Sequence, residues 1–369
     1  MDNKVLFISH WLPNDVYPTK GIFIQKHAEA IVEFSQITVI HFDIESSKDI
    51  FKLELTETIE DNYVKYCIKI RSKYYKFLYF ALPYQYFLFN RLCKKFSIDI
   101  SKYNLVHTNI LFPSAIIGYK ISKKHKLPQY HTEHWSKVNH FFKTNIYKKI
   151  GLKAYQNCYR ISVVSTFLKN EIKEYLNLEK VQIIPNIIDS SEFQFKNKVK
   201  NNTLQFCAIA QWNLPKNPFY FLDALEQLSN DIDFEINLIG EGKQIEEIKN
   251  KKYNFKINYL GILKSTQINT VLQSTDYFLH GSDYETFSVV IVEALATGTP
   301  VITSKIGIAE SIITTVNGFI CENNSLDWKK NILEAIKIDY NHSKIADSIK
   351  DKFDKSTISK QFKDFYSLE

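Results

Sequence analysis

The chain of 369 residues exceeds the usual span of one hydrophobic core, and a content of 45% hydrophobic and 14% aromatic residues excludes a disordered polypeptide, so two folded domains are expected. Five cysteines (Cys67, Cys93, Cys158, Cys207 and Cys321) show no C-x-x-C or other ligand spacing, which argues against a disulfide framework and a metal site and favours the cytoplasm. The net charge of +7 is unevenly placed: residues 1–200 carry 30 Lys and Arg against 18 Asp and Glu, a net of +12, and the remainder 17 against 22, a net of −5, so the N-terminal half points to an anionic partner.

The first predicted strand, VLFIS (5–9), is too short and too early for a signal peptide, and no stretch reaches the roughly 20 apolar residues of a spanning helix. LPNDVYPTKGIFIQKHAEAI (12–31) then leads through Gly21 into a helix, and the strands ITVIHF (37–42) and VKYCIKI (64–70) follow. Residues 65–96 interleave eight Lys and Arg with eleven Tyr and Phe. The helical part of that segment fits an anionic membrane surface, with aromatics buried and cations on lipid phosphates, and equally a pair of core helices with solvated lysines. Nucleic acid is not expected as a partner, because no RNA-binding motif accompanies the composition.

Strands LVHTNI (105–110), PQYHTEH (128–134), ISVVS (161–165) and VQIIPN (181–186) complete the first half. In HTEHWSKVNH (131–140), strand alternation sends His131 and Glu133 to one face and His134 to the other, which divides a would-be zinc set. FQFKNKVKNN (193–202) is polar and lacks an apolar period, so it reads as the interdomain linker. The second half repeats the pattern with LQFCAIA (204–210), FEINLIG (234–240), INYLG (257–261), YFLHGS (277–282) and PVITS (300–304). The Asp231-x-Asp233 pair stands at a strand's entry edge and reads as a solvated turn. The expected class is α/β, two Rossmann-like doubly wound domains facing across a cleft, with ligands beyond the carboxyl ends of the strands.

Past YFLHGS, Glu285 and Glu293 flank the start of an apolar helical run, FSVVIVEALATG. A helix beginning near Thr286 or Phe287 would leave its first N–H groups free to hold a phosphate, with Glu293 about two turns in. Alone, the spacing is also met by a Glu285 that complements the helix dipole and a Glu293 paired with a neighbouring Lys or backbone group.

The longer string YETFSVVIVEALATGTPVITSKIGIAE (284–310) resembles the signature of the retaining glycosyltransferases of family 4, the GT-B group known as glycosyl transferases group 1, whose pattern is E-[GT]-F-G-x4-E-A-x-A-x-G-x-P-V. AIAQWNLPKNPFYFLDAL (208–225), INLIGEGKQIEEI (236–248), IIPNIIDSSEF (183–193) and the tail FDKSTISKQFKDFY (353–366) resemble further segments of that family, so the likeness covers nearly the whole chain and is thinnest over residues 44–104. The resemblance implies that Glu285 and the backbone of Thr286, Phe287 and Ser288 hold the donor sugar, and that Glu293 binds the nucleotide ribose. It further implies that Lys216, with Gln211 in the place of the family's Arg, faces the diphosphate; that Gly240 and Gly242 lie near the base; that Gly21 lets the backbone approach donor or acceptor; and that His134 contacts the donor sugar. Ser288 and Ile306 stand where the family usually has Gly.

The resulting expectation is an N-terminal acceptor domain over 1–195, with a C-terminal helix over 353–369 packing back onto it, and a nucleotide-sugar domain over 201–350. The expected activity is transfer of a sugar, with retention and without a metal or cofactor, from a UDP- or GDP-sugar to a glycan or lipid-linked acceptor in surface polysaccharide assembly. The expected place is the cytoplasm or the inner face of the membrane. A non-catalytic glycosyltransferase-like partner subunit is the alternative, kept open by Gln211. An epimerase or a phosphorylase lacks the cofactor lysine motif or the length.

Overall fold

A computed structural model describes residues 3–189, 191–198 and 202–367. The chain divides into two compact units, residues 1–187 with 355–369 and residues 188–354.

In the first unit, strands β1 (Asn3–Ser9), β2 (Ser35–Ser46), β3 (Lys52–Ile59), β4 (Val64–Ser72), β5 (Leu105–Asn109), β6 (Gln129–Glu133), β7 (Cys158–Val163) and β8 (Val181–Ile183) form one sheet in the order β3-β4-β2-β1-β5-β6-β7-β8. All neighbours are parallel except the β3–β4 hairpin at the edge. Val5, Leu6, Phe7 and Ile8 of β1 are all fully buried, as a central parallel strand covered on both faces requires. One face is closed by the helices Ile22–Val32 and Lys355–Phe365, whose Ile24, Ala28, Ile31, Ile358, Phe362 and Phe365 share a core with Val5, Phe7 and Val39.

The second unit is a six-stranded, all-parallel sheet of β9 (Leu204–Ile209), β10 (Phe234–Ile239), β11 (Lys256–Gly261), β12 (Tyr277–His280), β13 (Val301–Ser304) and β14 (Gly318–Cys321), in the order β11-β10-β9-β12-β13-β14. This is the doubly wound order in which the winding reverses between the first and fourth strands, here β9 and β12, and a crevice opens beyond their carboxyl ends.

The expected linker over 193–202 is not a free tether in its described part, Phe193–Lys198; residues 199–201 lie outside the described residues. Phe193 is buried, the ring of Phe195 lies against Gly298, and the Lys196 N–H donates to Gln273 Oε1 at 3.1 Å. The Lys198 ammonium reaches Leu272 O at 2.6 Å, Thr275 O at 3.0 Å and Thr299 Oγ1 at 2.6 Å. The division therefore falls earlier, at Ile187/Ile188, and again at Asp354/Lys355, where the Ile188 N–H bonds Phe353 O at 2.9 Å.

Candidate active site

At the reversal point of the second unit, the loop leaving β9 and the loop leaving β12 are stitched together. Lys216 and Ser282 form an antiparallel bridge, the Asn217 N–H donates to Gly281 O at 3.1 Å, and the Asp283 N–H donates to Pro215 O at 2.8 Å. A Cβ on Gly281 would meet Asn217 O at 2.5 Å, so a side chain there would force the loops apart. This register carries Lys216 to Glu285, and the Lys216 ammonium and Glu285 Oε1 form an ion pair with both side chains about one-fifth exposed, 18% and 20%. Burial pulls the Lys216 ammonium down to about 8.

His280, the last residue of β12, completes the cluster. Its Nε2 lies 2.9 Å from Ser288 Oγ and 3.7 Å from Glu285 Oε1. Burial, reinforced by the charge of Lys216, holds its pKa well below the usual histidine range, so the imidazole is neutral. Sequence reasoning passed over His280 as strand; the available signal was a polar residue closing an apolar run at the carboxyl edge of a sheet.

The helix after Glu285 begins later than expected, at Val289 rather than Thr286 or Phe287, and runs to Ala296. Phe287 cannot be its first turn, because its ring is buried against Phe353 at 5.9 Å and its carbonyl accepts from the Ile308 N–H at 2.9 Å. Gly307, at φ 55°, permits that approach: a Cβ there would meet Phe287 O at 2.4 Å. Ser288 caps the helix in the left-handed region, φ 71° and ψ 80°, with its hydroxyl turned to His280 instead of to a helix N–H. Glu293 is then the fifth residue of the helix, closer to the N-terminus than two turns, and is half-buried, as Thr286 is.

Gly240 and Gly242 serve the Lys216 loop through close packing. A Cβ on Gly240 would meet Ala210 O at 1.9 Å, and one on Gly242 would meet Trp212 O at 2.2 Å. The turn they form puts the Gln244 amide on Lys216 O at 2.7 Å, a second contact sequence reasoning missed. Trp212 is buried, with its indole N–H on Ile239 O at 3.0 Å, and the neighbouring Gln211 is exposed.

Two expected site residues belong to the first unit. Gly21, at φ 65°, caps the Ile22–Val32 helix, and its close approach is to its own chain: a Cβ would meet Trp11 O at 2.4 Å. His134, one residue past β6, is buried beside Phe23 and His27, with ring centroids 5.0 and 5.3 Å away, and burial keeps it neutral. Glu133 holds this turn by accepting from the N–H groups of His134 and Trp135 at 2.9 and 2.8 Å, from the Leu111 N–H at 2.9 Å and from the Tyr155 hydroxyl at 2.6 Å. His131 Nε2 lies 3.2 Å from Glu133 Oε2 with its ring 5.4 Å from that of Tyr155, whereas His134 packs on Phe23 and His27.

Residues 189–352 match the family model of glycosyl transferases group 1, and residues 51–192 match that of glycosyltransferase family 4. Among curated proteins, an uncharacterised glycosyltransferase of Methanocaldococcus jannaschii is 29% identical over 65% of this chain and 67% of its own length. The UDP-Gal:α-D-GlcNAc-diphosphoundecaprenol α-1,3-galactosyltransferase of Escherichia coli is 28% identical over 47% of this chain and 50% of its own, so the match spans about half that relative's length. Among solved structures, Anabaena HepE in complex with UDP-glucose shares the fold, with a TM-score of 0.69 at 18% identity over 98% of both chains. With two consecutive family models spanning residues 51–352 and this fold, the chain belongs to family 4 of the glycosyltransferases, the glycosyl transferases group 1, of GT-B architecture.

Proposed function

We propose that the chain transfers a sugar, with retention of anomeric configuration, from a UDP-sugar or GDP-sugar to a lipid-linked or glycan acceptor in surface polysaccharide assembly. The observation that carries this reading is the Lys216–Glu285 pair where the winding of the second unit reverses, beside the N-terminus of the Val289–Ala296 helix. A leaving diphosphate needs positive charge, and an ammonium beside a helix N-terminus supplies it without a metal. Glu285 then exchanges its bond to Lys216 for the donor's hydroxyls, and Glu293 takes the ribose. In the transfer step the acceptor hydroxyl attacks the anomeric carbon from the face the nucleotide leaves. The bond from that carbon to the phosphate oxygen breaks, and the departing phosphate takes the hydroxyl proton.

A relative named for a diphosphoundecaprenol-linked acceptor supports a lipid carrier, and a fold neighbour holding UDP-glucose supports a uridine donor. The test is a melting and hydrolysis screen against UDP-sugars and GDP-sugars. A rise in Tm with one nucleotide series, with slow sugar release, is the expected result. Glu285→Gln should retain the fold and lose at least about a hundredfold in transfer. Wild-type turnover in that variant would overturn the assignment of Glu285. Silence with every nucleotide would favour the non-catalytic partner subunit, for which the neutral, exposed Gln211 is the motivating feature.

A further inference from the structure

Residues 65–96 divide into three parts with different fates. Val64–Ser72 is strand β4, and the helix Leu82–Lys95 buries Leu82, Leu88, Phe89 and Leu92 in the core of the first unit. Between them the six-residue helix Tyr75–Phe80, YKFLYF, has five apolar or aromatic side chains and buries none of its residues. Phe77 and Phe80 of this helix are exposed while Tyr79 packs on His10 and Phe112, and an apolar helix with one side open marks an interaction surface.

Phe77 is 74% exposed, and nearby Ile146 is 85% exposed. Phe77, Phe80 and Pro83, with Phe51 just before β3 and Tyr147, line an open groove of about 710 Å³. The groove is held in shape from below. The Tyr147 hydroxyl donates to Phe80 O at 3.0 Å, the Phe80 ring packs on Phe112 at 5.1 Å, and the buried Gln85 amide donates to Leu78 O and Tyr79 O at 2.9 and 2.8 Å. The segments that contribute its lining residues, 48–52, 73–84 and 143–149, carry seven lysines and a single acid, Asp49, with Lys52 paired to Glu54 just beyond. Lys73, Lys76, Lys143, Lys148 and Lys149 are exposed.

We propose that this face docks on an anionic phospholipid bilayer, with Phe77 and Ile146 entering the interface and the surrounding lysines lying on lipid phosphates. Aromatic groups in the middle of a cationic rim match the two layers of such a surface, apolar below and phosphate above. The same rim opposes a second copy of the chain, since two such faces would bring their lysines together. The inference deepens the proposed function and rests on it in one respect: a lipid-linked acceptor is presented at that surface.

The experiment is co-sedimentation of the full chain with vesicles of equal parts phosphatidylglycerol and phosphatidylcholine, and with vesicles of phosphatidylcholine alone, alongside light scattering and the donor-induced Tm rise on the same samples. Binding to the anionic vesicles, weakened at least about tenfold in Phe77→Ser/Ile146→Ser and also in Lys73→Gln/Lys76→Gln with the Tm unchanged, is the expected result. Failure of the wild type to bind, or equal binding by the Phe77→Ser/Ile146→Ser variant, overturns the proposal. A concentration-dependent dimer abolished by that variant overturns it in favour of a face between copies. Vesicle binding without any donor-induced Tm rise leaves the docking face standing and removes the donor site; the reverse combination removes the docking face alone.

Discussion

At the scale of single residues, Lys216 ties charge to pH in a direction that can be worked out. Its ammonium is lowered by burial to about 8 from the ordinary 10.5, so the charge that would meet the donor diphosphate is present below about pH 8 and lost above it. The expected kcat/KM for donor is flat up to about pH 8 and then falls, approaching tenfold per pH unit. Lys216→Arg, whose guanidinium stays charged, should lose the geometric fit and some activity yet remove that alkaline limb. A limb of unchanged position in Lys216→Arg would assign it to another group. Stability runs the other way: between about pH 8 and 10.5 the unfolded chain holds the proton and the folded one does not, so this residue adds stability as pH rises over the window in which it takes activity away.

Ser288 is the second residue with a consequence at this scale, because it occupies a left-handed conformation that costs a non-glycine residue about 1–2 kcal/mol. Its hydroxyl partly offsets the cost by satisfying the buried His280 Nε2. Ser288→Gly and Ser288→Ala both delete that hydroxyl, and only glycine also relieves the backbone. Urea denaturation should therefore place Ser288→Gly above Ser288→Ala by about 1 kcal/mol, with the wild type close to the glycine variant. Equal stability of the two variants would mean that the backbone at 288 is not left-handed in solution.

At the scale of elements, what was legible in the sequence follows from burial. Strands covered on both faces, such as VLFIS and YFLH, announce themselves as apolar runs, and the Glu285 loop was found because it follows such a strand. Strand β3, KLELTETI, was missed because it pairs only with β4 at the sheet edge and none of its residues is buried. The four-residue β14, GFIC, was too short to show any period. The true start of the Val289–Ala296 helix was hidden for a different reason: it is set by the tertiary bond from Ile308 to the Phe287 carbonyl, which local propensity does not encode. His280 and Gln244 escaped for the same cause, since their roles exist only once β9, β10 and β12 lie side by side.

At the scale of the whole molecule, the chain leaves the first unit at Ile187 and re-enters it at Lys355, so the last helix stabilises a sheet whose strands begin at the opposite end of the sequence. Phe362 of that helix is fully buried, its ring 5.0 Å from His27 and 5.9 Å from His107, and the Tyr366 hydroxyl lies 2.8 Å from His107 Nδ1. Removing a buried phenylalanine ring costs about 3–5 kcal/mol when the cavity cannot collapse, and here both neighbouring histidines are fixed by other bonds, His27 to Pro185 O and His107 to Thr132 Oγ1. Phe362→Ala should therefore speed hydrogen exchange throughout β1, β2 and β5, while the amides of β9, β12 and the Val289–Ala296 helix exchange as in the wild type and the donor nucleotide still protects them. That pattern requires the two units to open independently. Uniform acceleration of exchange across both sheets would instead show that the 369 residues unfold as one cooperative block, with the last helix as its keystone.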